Sequence, residues 1–109
     1  MLLLLRTYLS TFTDDIEIVG EASGGDEALV AWRSMHPDVI VMDNRMPGRT
    51  GLEVAAEILG SDGPPGIILF TAFVDADVVD RASEIGVCEV VGKDRFRELP
   101  DVIRGCVHS

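Results

Sequence analysis

Asp43, Thr71 and Lys93 are the residues of this chain whose types and spacing could do chemistry together. Each closes a short apolar run: Val39-Ile40-Val41-Met42 leads to Asp43, Ile67-Ile68-Leu69-Phe70 leads to Thr71, and Val90-Val91 leads through Gly92 to Lys93. A carboxylate oxygen can attack a phosphoryl group, a hydroxyl can hydrogen-bond a phosphoryl oxygen, and an ammonium supplies a point charge for the anion. Together the three outline an aspartyl-phosphate site. Taken singly they are a strand-end carboxylate, a β-branched strand residue and a solvated lysine, so the joint spacing carries the reading.

Apolar β-branched runs of this length, closed by Pro or Gly, predict strands covered on both faces in a parallel sheet, and such sheets bind ligands beyond the carboxyl ends of their strands. Between them lie helix patterns. Ala28, Leu29, Trp32 and Met35 share one face after a Ser23 cap, and His36-Pro37 stops that helix. Leu52, Ala55, Ala56 and Leu59 mark a second helix ended by Gly60; Asp75 caps a third that carries Val78, Val79, Ala82 and Ile85 and ends at Gly86. Residues 87–91 predict another strand, and Pro100 opens a last helix with Leu99, Ile103 and Cys106 inward. At the start, residues 2–12 read as a helix, Thr13-Asp14-Asp15 as a turn and residues 16–19 as a half-buried edge strand.

The alternation of strand and helix predicts an α/β doubly wound parallel sheet with helices on both faces. A length of 109 residues with 47% hydrophobic content is one domain with an ample core. Nine basic against nineteen acidic residues give a net charge of −10, which repels phosphate backbones and anionic membranes, so direct nucleic-acid binding and membrane association are not expected. The opening Leu run lacks a basic leader and is cut by Arg6, and no apolar stretch is long enough to span a bilayer. Cys88 and Cys106 lack a CxxC or a Cys/His ligand set and sit among apolar residues; they read as buried free thiols in a reducing, cytoplasmic compartment.

With these residues in place the sequence resembles the receiver domain of bacterial two-component response regulators, especially the group with a C-terminal helix-turn-helix. The resemblance covers nearly the whole chain. It is carried by Ile16-Glu17-Ile18-Val19-Gly20-Glu21-Ala22, Pro37 through Asp43, Arg45-Met46-Pro47-Gly48, Gly51, Thr71-Ala72 and Lys93-Asp94, in that order. It implies a flavodoxin-like fold and transfer of a phosphoryl group from a histidine kinase to Asp43, with Thr71 and Lys93 contacting the phosphate. It also implies that Ala72 governs access to the site and that Arg45 lends a backbone carbonyl to Mg²⁺ beside Asp43. The output is relayed by conformational change or by a homodimer. The family's aromatic switch position is Val90 here, and Asp77, Arg81 and Glu89 border the face that receivers offer to partners.

The sequence departs from the family at its start, because Met1 falls where the first helix should begin. The first strand and its acidic pair are absent, so residues 1–109 read as a single receiver domain truncated at its amino end. Asp14-Asp15 is assigned to a turn at the opposite end of the sheet. Mg²⁺ wants one or two carboxylates besides phosphate, and two charges lost at about 4 Å, each worth up to ~4 kcal/mol at an effective dielectric near 20, weaken metal binding by powers of ten. Poor phosphorylation is therefore expected, with Asp43 pairing more tightly with Lys93. In the sheet, the flanking strands can close up, residues 1–5 can be drawn in as a strand, or exposed edges can pair with a second chain; rearrangement with self-association is the favoured expectation.

Two functions compete: a phosphorylation-controlled signalling module, and a phosphorylation-independent pseudo-receiver that works by binding alone. Neither is an enzyme. An aspartate-nucleophile phosphohydrolase would want Asp-x-Asp where this chain has Asp43-Asn44-Arg45, and a flavin module would want a phosphate loop that Ser23-Gly24-Gly25-Asp26 only faintly resembles.

Overall fold

Every residue of β3 (Val39–Met42) is 3% exposed or less, the burial that an apolar run acquires when both faces of its sheet are covered. The computed structural model describes residues 2–8, 15–22, 25–44 and 50–106, with the backbone alone taken for the first two stretches. After β1 (Leu2–Tyr8) and β2 (Asp15–Ala22) come α1 (Gly25–Met35), β3, α2 (Gly51–Leu59), β4 (Gly66–Thr71) and α3 (Ala76–Ile85). The chain continues with β5 (Glu89–Gly92), a 3₁₀ segment (Lys93–Glu98) and α4 (Leu99–Gly105).

The sheet order is β2-β1-β3-β4-β5, with β3, β4 and β5 parallel. Alternation along β3 and β4 sends Ile40, Met42, Ile67 and Leu69 to the side of α1, α2 and α3, where they meet Ala28, Leu29, Val54, Ala55, Ile58 and Ala82. Val39, Val41, Ile68 and Val91 point the other way, onto Ile103 and Cys106 of the α4 side. Helices thus cover both faces, as the doubly wound reading requires.

Local signals place the helix ends. Thr50 and Glu53 form a reciprocal capping box at the start of α2, and Asp75 accepts a 2.9 Å hydrogen bond from the Val78 amide at the start of α3. Gly86 ends α3 at φ 94°, a conformation that glycine adopts without a Cβ penalty. His36, at φ 47°, and Pro37 stop α1. The Ser23 cap falls outside the described residues.

The expected helix over residues 2–12 is overturned as far as residue 8, because Leu2–Tyr8 is strand β1; residues 9–12 lie outside the described residues. β1 runs antiparallel to both neighbours, with Leu2 opposite Ala22 on one side and Met42 on the other. The physical reason is the ladder of β3. An interior strand with one edge unpaired leaves a row of N–H and C=O groups unsatisfied, and pairing them outweighs the small helix preference of leucine. Residues 2–5 are drawn into the sheet, one of the accommodations expected, and the flanking strands do not close up. β2 is the edge strand expected, though longer than residues 16–19.

The thiols also differ from expectation. Cys88 and Cys106 are joined as a disulfide with Cα atoms 6.0 Å apart, and Cys88 is exposed while Cys106 is 5% exposed. The two cysteines lie 18 residues apart, and only the packing of α4 against the sheet brings them together.

Candidate functional site

Strand register collects the three candidate side chains at one rim of the sheet. Met42 lies opposite Leu69 and Thr71 opposite Gly92, so Asp43, Thr71 and Lys93 all emerge where β3, β4 and β5 end. Lys93 Nζ donates to Asp43 Oδ2 at 2.5 Å. The carboxylate is the more enclosed partner, its side chain 18% exposed against 46% for the lysine. An ammonium reaching in from solvent over a half-buried carboxylate leaves the lysine free to shift when a larger anion arrives.

Thr71 is 6% exposed, the buried polar residue of β4. Its hydroxyl turns within the following loop, donating to the Phe73 carbonyl and accepting from the Phe73 amide, both at 3.4 Å. These are long contacts of a local turn and hold the hydroxyl only weakly. Ala72 is exposed beside it, and Phe73 is 68% exposed. Arg45 lies outside the described residues.

Two residues that the sequence reading did not assign a role position Asp43. Asn44 accepts from the Gly51 amide with its carbonyl at 2.8 Å and from the Leu52 amide with its side-chain oxygen at 3.2 Å. The start of α2 is thereby pinned to the residue after Asp43. A Cβ on Gly51 would lie 2.6 Å from the Asp43 carbonyl oxygen and 2.8 Å from Asn44 Cα, so only glycine permits this approach. The signal in the sequence was an asparagine at a strand end with a glycine seven residues on.

Past Lys93 the chain turns through the 3₁₀ segment, where Arg95 Nε donates to Glu98 Oε2 at 2.6 Å and Nη2 to Oε1 at 3.1 Å. This hydrogen-bonded pair, with its mutual attraction, raises the Arg95 guanidinium above its ordinary range and lowers the Glu98 carboxyl below the ordinary glutamate range. Asp77 and Arg81 border an open groove between α2 and α3, whose other charged residues are Glu53, Asp75 and Glu84.

The described donors do not by themselves make a Mg²⁺ site. Among the described residues no group of three or more His, Cys, Asp or Glu side chains converges, and Asp43 is engaged by an ammonium. Octahedral Mg²⁺ is ordinarily held by one or two carboxylates with phosphate and water, and the Asp43 carboxylate is here taken up by the ammonium. Asp15 stands opposite Tyr8 at the far end of β2 from Ala22, and is no substitute.

Residues 1–104 match the family described as the response regulator receiver domain. The chain belongs to that family. Transcriptional regulatory protein DesR of Bacillus subtilis is 37% identical over 110 residues, covering 100% of this chain and 54% of that protein. Transcriptional regulatory protein LiaR of the same organism is 36% identical over 105 residues, 93% of this chain and 50% of that protein. A solved DNA-binding response regulator of the LuxR family from Staphylococcus aureus matches with a TM-score of 0.77 at 32% identity, over 83% of this chain and 76% of that one. This receiver spans about half the length of the curated relatives it matches.

The receiver fold explains the rim: a doubly wound sheet puts its strand ends, and hence Asp43, Thr71 and Lys93, on one side of the molecule. In this receiver β1, between β2 and β3, runs antiparallel to both, so its carboxyl end at Tyr8 lies away from that rim.

Proposed function

We propose that this receiver, read as one domain over its 109 residues, is a phospho-acceptor module of a two-component pathway. A histidine kinase supplies the phosphoryl group: the N–P bond of its phosphohistidine breaks as a bond forms between phosphorus and an Asp43 carboxylate oxygen. Lys93 then moves from the carboxylate to the new phosphoryl oxygens, and the Thr71 hydroxyl leaves its weak turn contacts to donate to them. Ala72, small and exposed, leaves the approach open. The domain relays a state by altered packing or by homodimerisation, and is no enzyme. We place it in the cytoplasm; no helix is long and apolar enough to cross a membrane among the described residues.

The observation that carries this reading is the 2.5 Å contact between Lys93 and the half-buried Asp43 at the carboxyl ends of a parallel sheet. The test is intact mass after incubation with acetyl phosphate and Mg²⁺, with Asp43→Asn alongside. A gain of one phosphoryl group in the parent and none in the variant is expected, slowly and at high Mg²⁺; no gain under any Mg²⁺ concentration overturns it.

A second reading, a phosphorylation-independent pseudo-receiver, is favoured by one specific observation: no cluster of three or more His, Cys, Asp or Glu side chains forms among the described residues. It predicts that a partner binds Asp43→Asn and the parent equally.

A further inference from the structure

We propose that Cys88 and Cys106 form a reversible thiol–disulfide exchange site that latches α4 onto the sheet, with a low-molecular-weight thiol or a protein dithiol as co-reactant. The bond ties the residue before β5 to the cap of the last helix. Its two ends differ. Cys88 is exposed at the entry to β5, where its amide donates to the Ile67 carbonyl at 2.8 Å, whereas Cys106 is 5% exposed within the cluster of Val39, Val41, Ile68, Val91 and Ile103. The Cys88 end of the bond is therefore the one an incoming thiolate approaches in this proposal.

The exchange balances as two substitutions. A thiolate attacks Cys88 Sγ, the Sγ–Sγ bond breaks, and the electron pair departs on Cys106 Sγ, which takes up a proton. A second thiolate then attacks the mixed disulfide and expels Cys88 sulfur. The protein gains two electrons and two protons while two co-reactant thiols become one disulfide.

Two further features make the bond a latch on α4. The helix has seven residues, of which Ile103 alone is buried, so its own hydrogen bonds do not sustain it and tertiary attachment does. Its end is also seated on β4: a Cβ at Gly66 would collide with the Cys106 carbonyl oxygen, so the helix cap rests directly on the backbone where that strand begins. With the disulfide open, Cys106 remains a small apolar side chain in the cluster, but the covalent hold on the helix end is gone. The closed loop contains β5, Lys93 and the 3₁₀ segment, so the latch constrains the strand that delivers the lysine. A disulfide in a cytoplasmic protein is characteristically transient or redox-sensing, and the reversibility rests on the cytoplasmic placement but not on phosphoryl transfer to Asp43.

The test equilibrates the folded 109-residue chain in glutathione buffers of varied ratio, traps thiols with N-ethylmaleimide and reads intact mass. A disulfide in oxidised buffer, two maleimide adducts in reduced buffer and a glutathione adduct on Cys88 of Cys106→Ala are expected. Hydrogen exchange over residues 99–106 should be at least ~10-fold faster in the reduced form, the loss expected when a closed loop is opened. Cys88→Ser, at an exposed position, should show the fast rate in both buffers. Two maleimide adducts in oxidised buffer, a bond that resists reduced glutathione until the chain unfolds, or equal exchange in both forms each overturns the proposal. Phosphoryl labelling of Asp43, measured separately, is independent of these outcomes.

Discussion

Lys93 Nζ and Asp43 Oδ2 meet at 2.5 Å although fifty residues of chain separate them. The contact joins the two parallel strands β3 and β5 across the end of β4, and it sets one electrostatic state of the rim. Lys93→Met removes the ammonium. Because the pair is 46% and 18% exposed, solvent screening limits its structural worth, and urea unfolding should shift by no more than about 1 kcal/mol. Acetyl phosphate labelling of the same variant should fall steeply. Loss of labelling with unchanged stability separates an anion-holding lysine from a merely structural one.

Gly51→Ala places a methyl group against the Asp43 carbonyl and Asn44 Cα. Neither is a side-chain tip that can swing away, so the start of α2 must retreat. A loss of ~1–3 kcal/mol in urea unfolding is expected, the ordinary cost of overpacking. The hydrogen bonds of Asn44 to Gly51 and Leu52 should weaken with it, seen as faster amide exchange at those two residues.

The antiparallel course of β1 has a direct spectroscopic signature. Opposed α-protons approach closely at the non-hydrogen-bonded pairs of an antiparallel ladder, so NOE cross-peaks are expected at alternate pairs along the β1–β3 register from Leu2–Met42 to Leu5–Val39. A parallel strand at this place would give none. Leu4→Pro removes an amide donor from an interior strand and should cost ~1–3 kcal/mol, the penalty of an unpaired backbone group.

The Arg95–Glu98 pair gives a pH dependence whose sign follows from the two shifts. Glu98 is lowered in the folded chain, so its contribution is present above the unfolded glutamate value and is lost as pH falls through the folded one. Arg95 is raised, so its contribution holds below the unfolded arginine value and persists through neutrality. Carbon-detected titration should place the Glu98 midpoint below that of an ordinary glutamate, and Arg95→Met should return it there. Both side chains are exposed, so salt should weaken the shift.

The interior strands and the candidate rim were legible in the sequence because burial writes itself locally. β3 and β4 are near-continuous apolar runs, Asp75 and Gly86 announce their helix ends, and the residues that follow the runs are carried to one edge by register alone. β1 was legible only as one alternative, since a leucine run suits helix or strand and the decision comes from the unpaired ladder of β3. The Cys88–Cys106 bond was hidden for a similar reason: eighteen residues of separation carry no local mark, and the docking of α4 makes the pair. The 3₁₀ segment after Lys93, polar and without periodicity, gave no signal either.

The reversed direction of β1 fixes where a label on this protein would report from. Leu2 pairs with Met42, the residue before Asp43, so the amino end of the strand opens onto the rim instead of the far side of the sheet. A fluorophore carried at Leu2 would report from the β3 side of the rim, next to the residue that precedes Asp43. The end of α4 lies at the opposite end of the sheet, where Cys106 meets the first residue of β4.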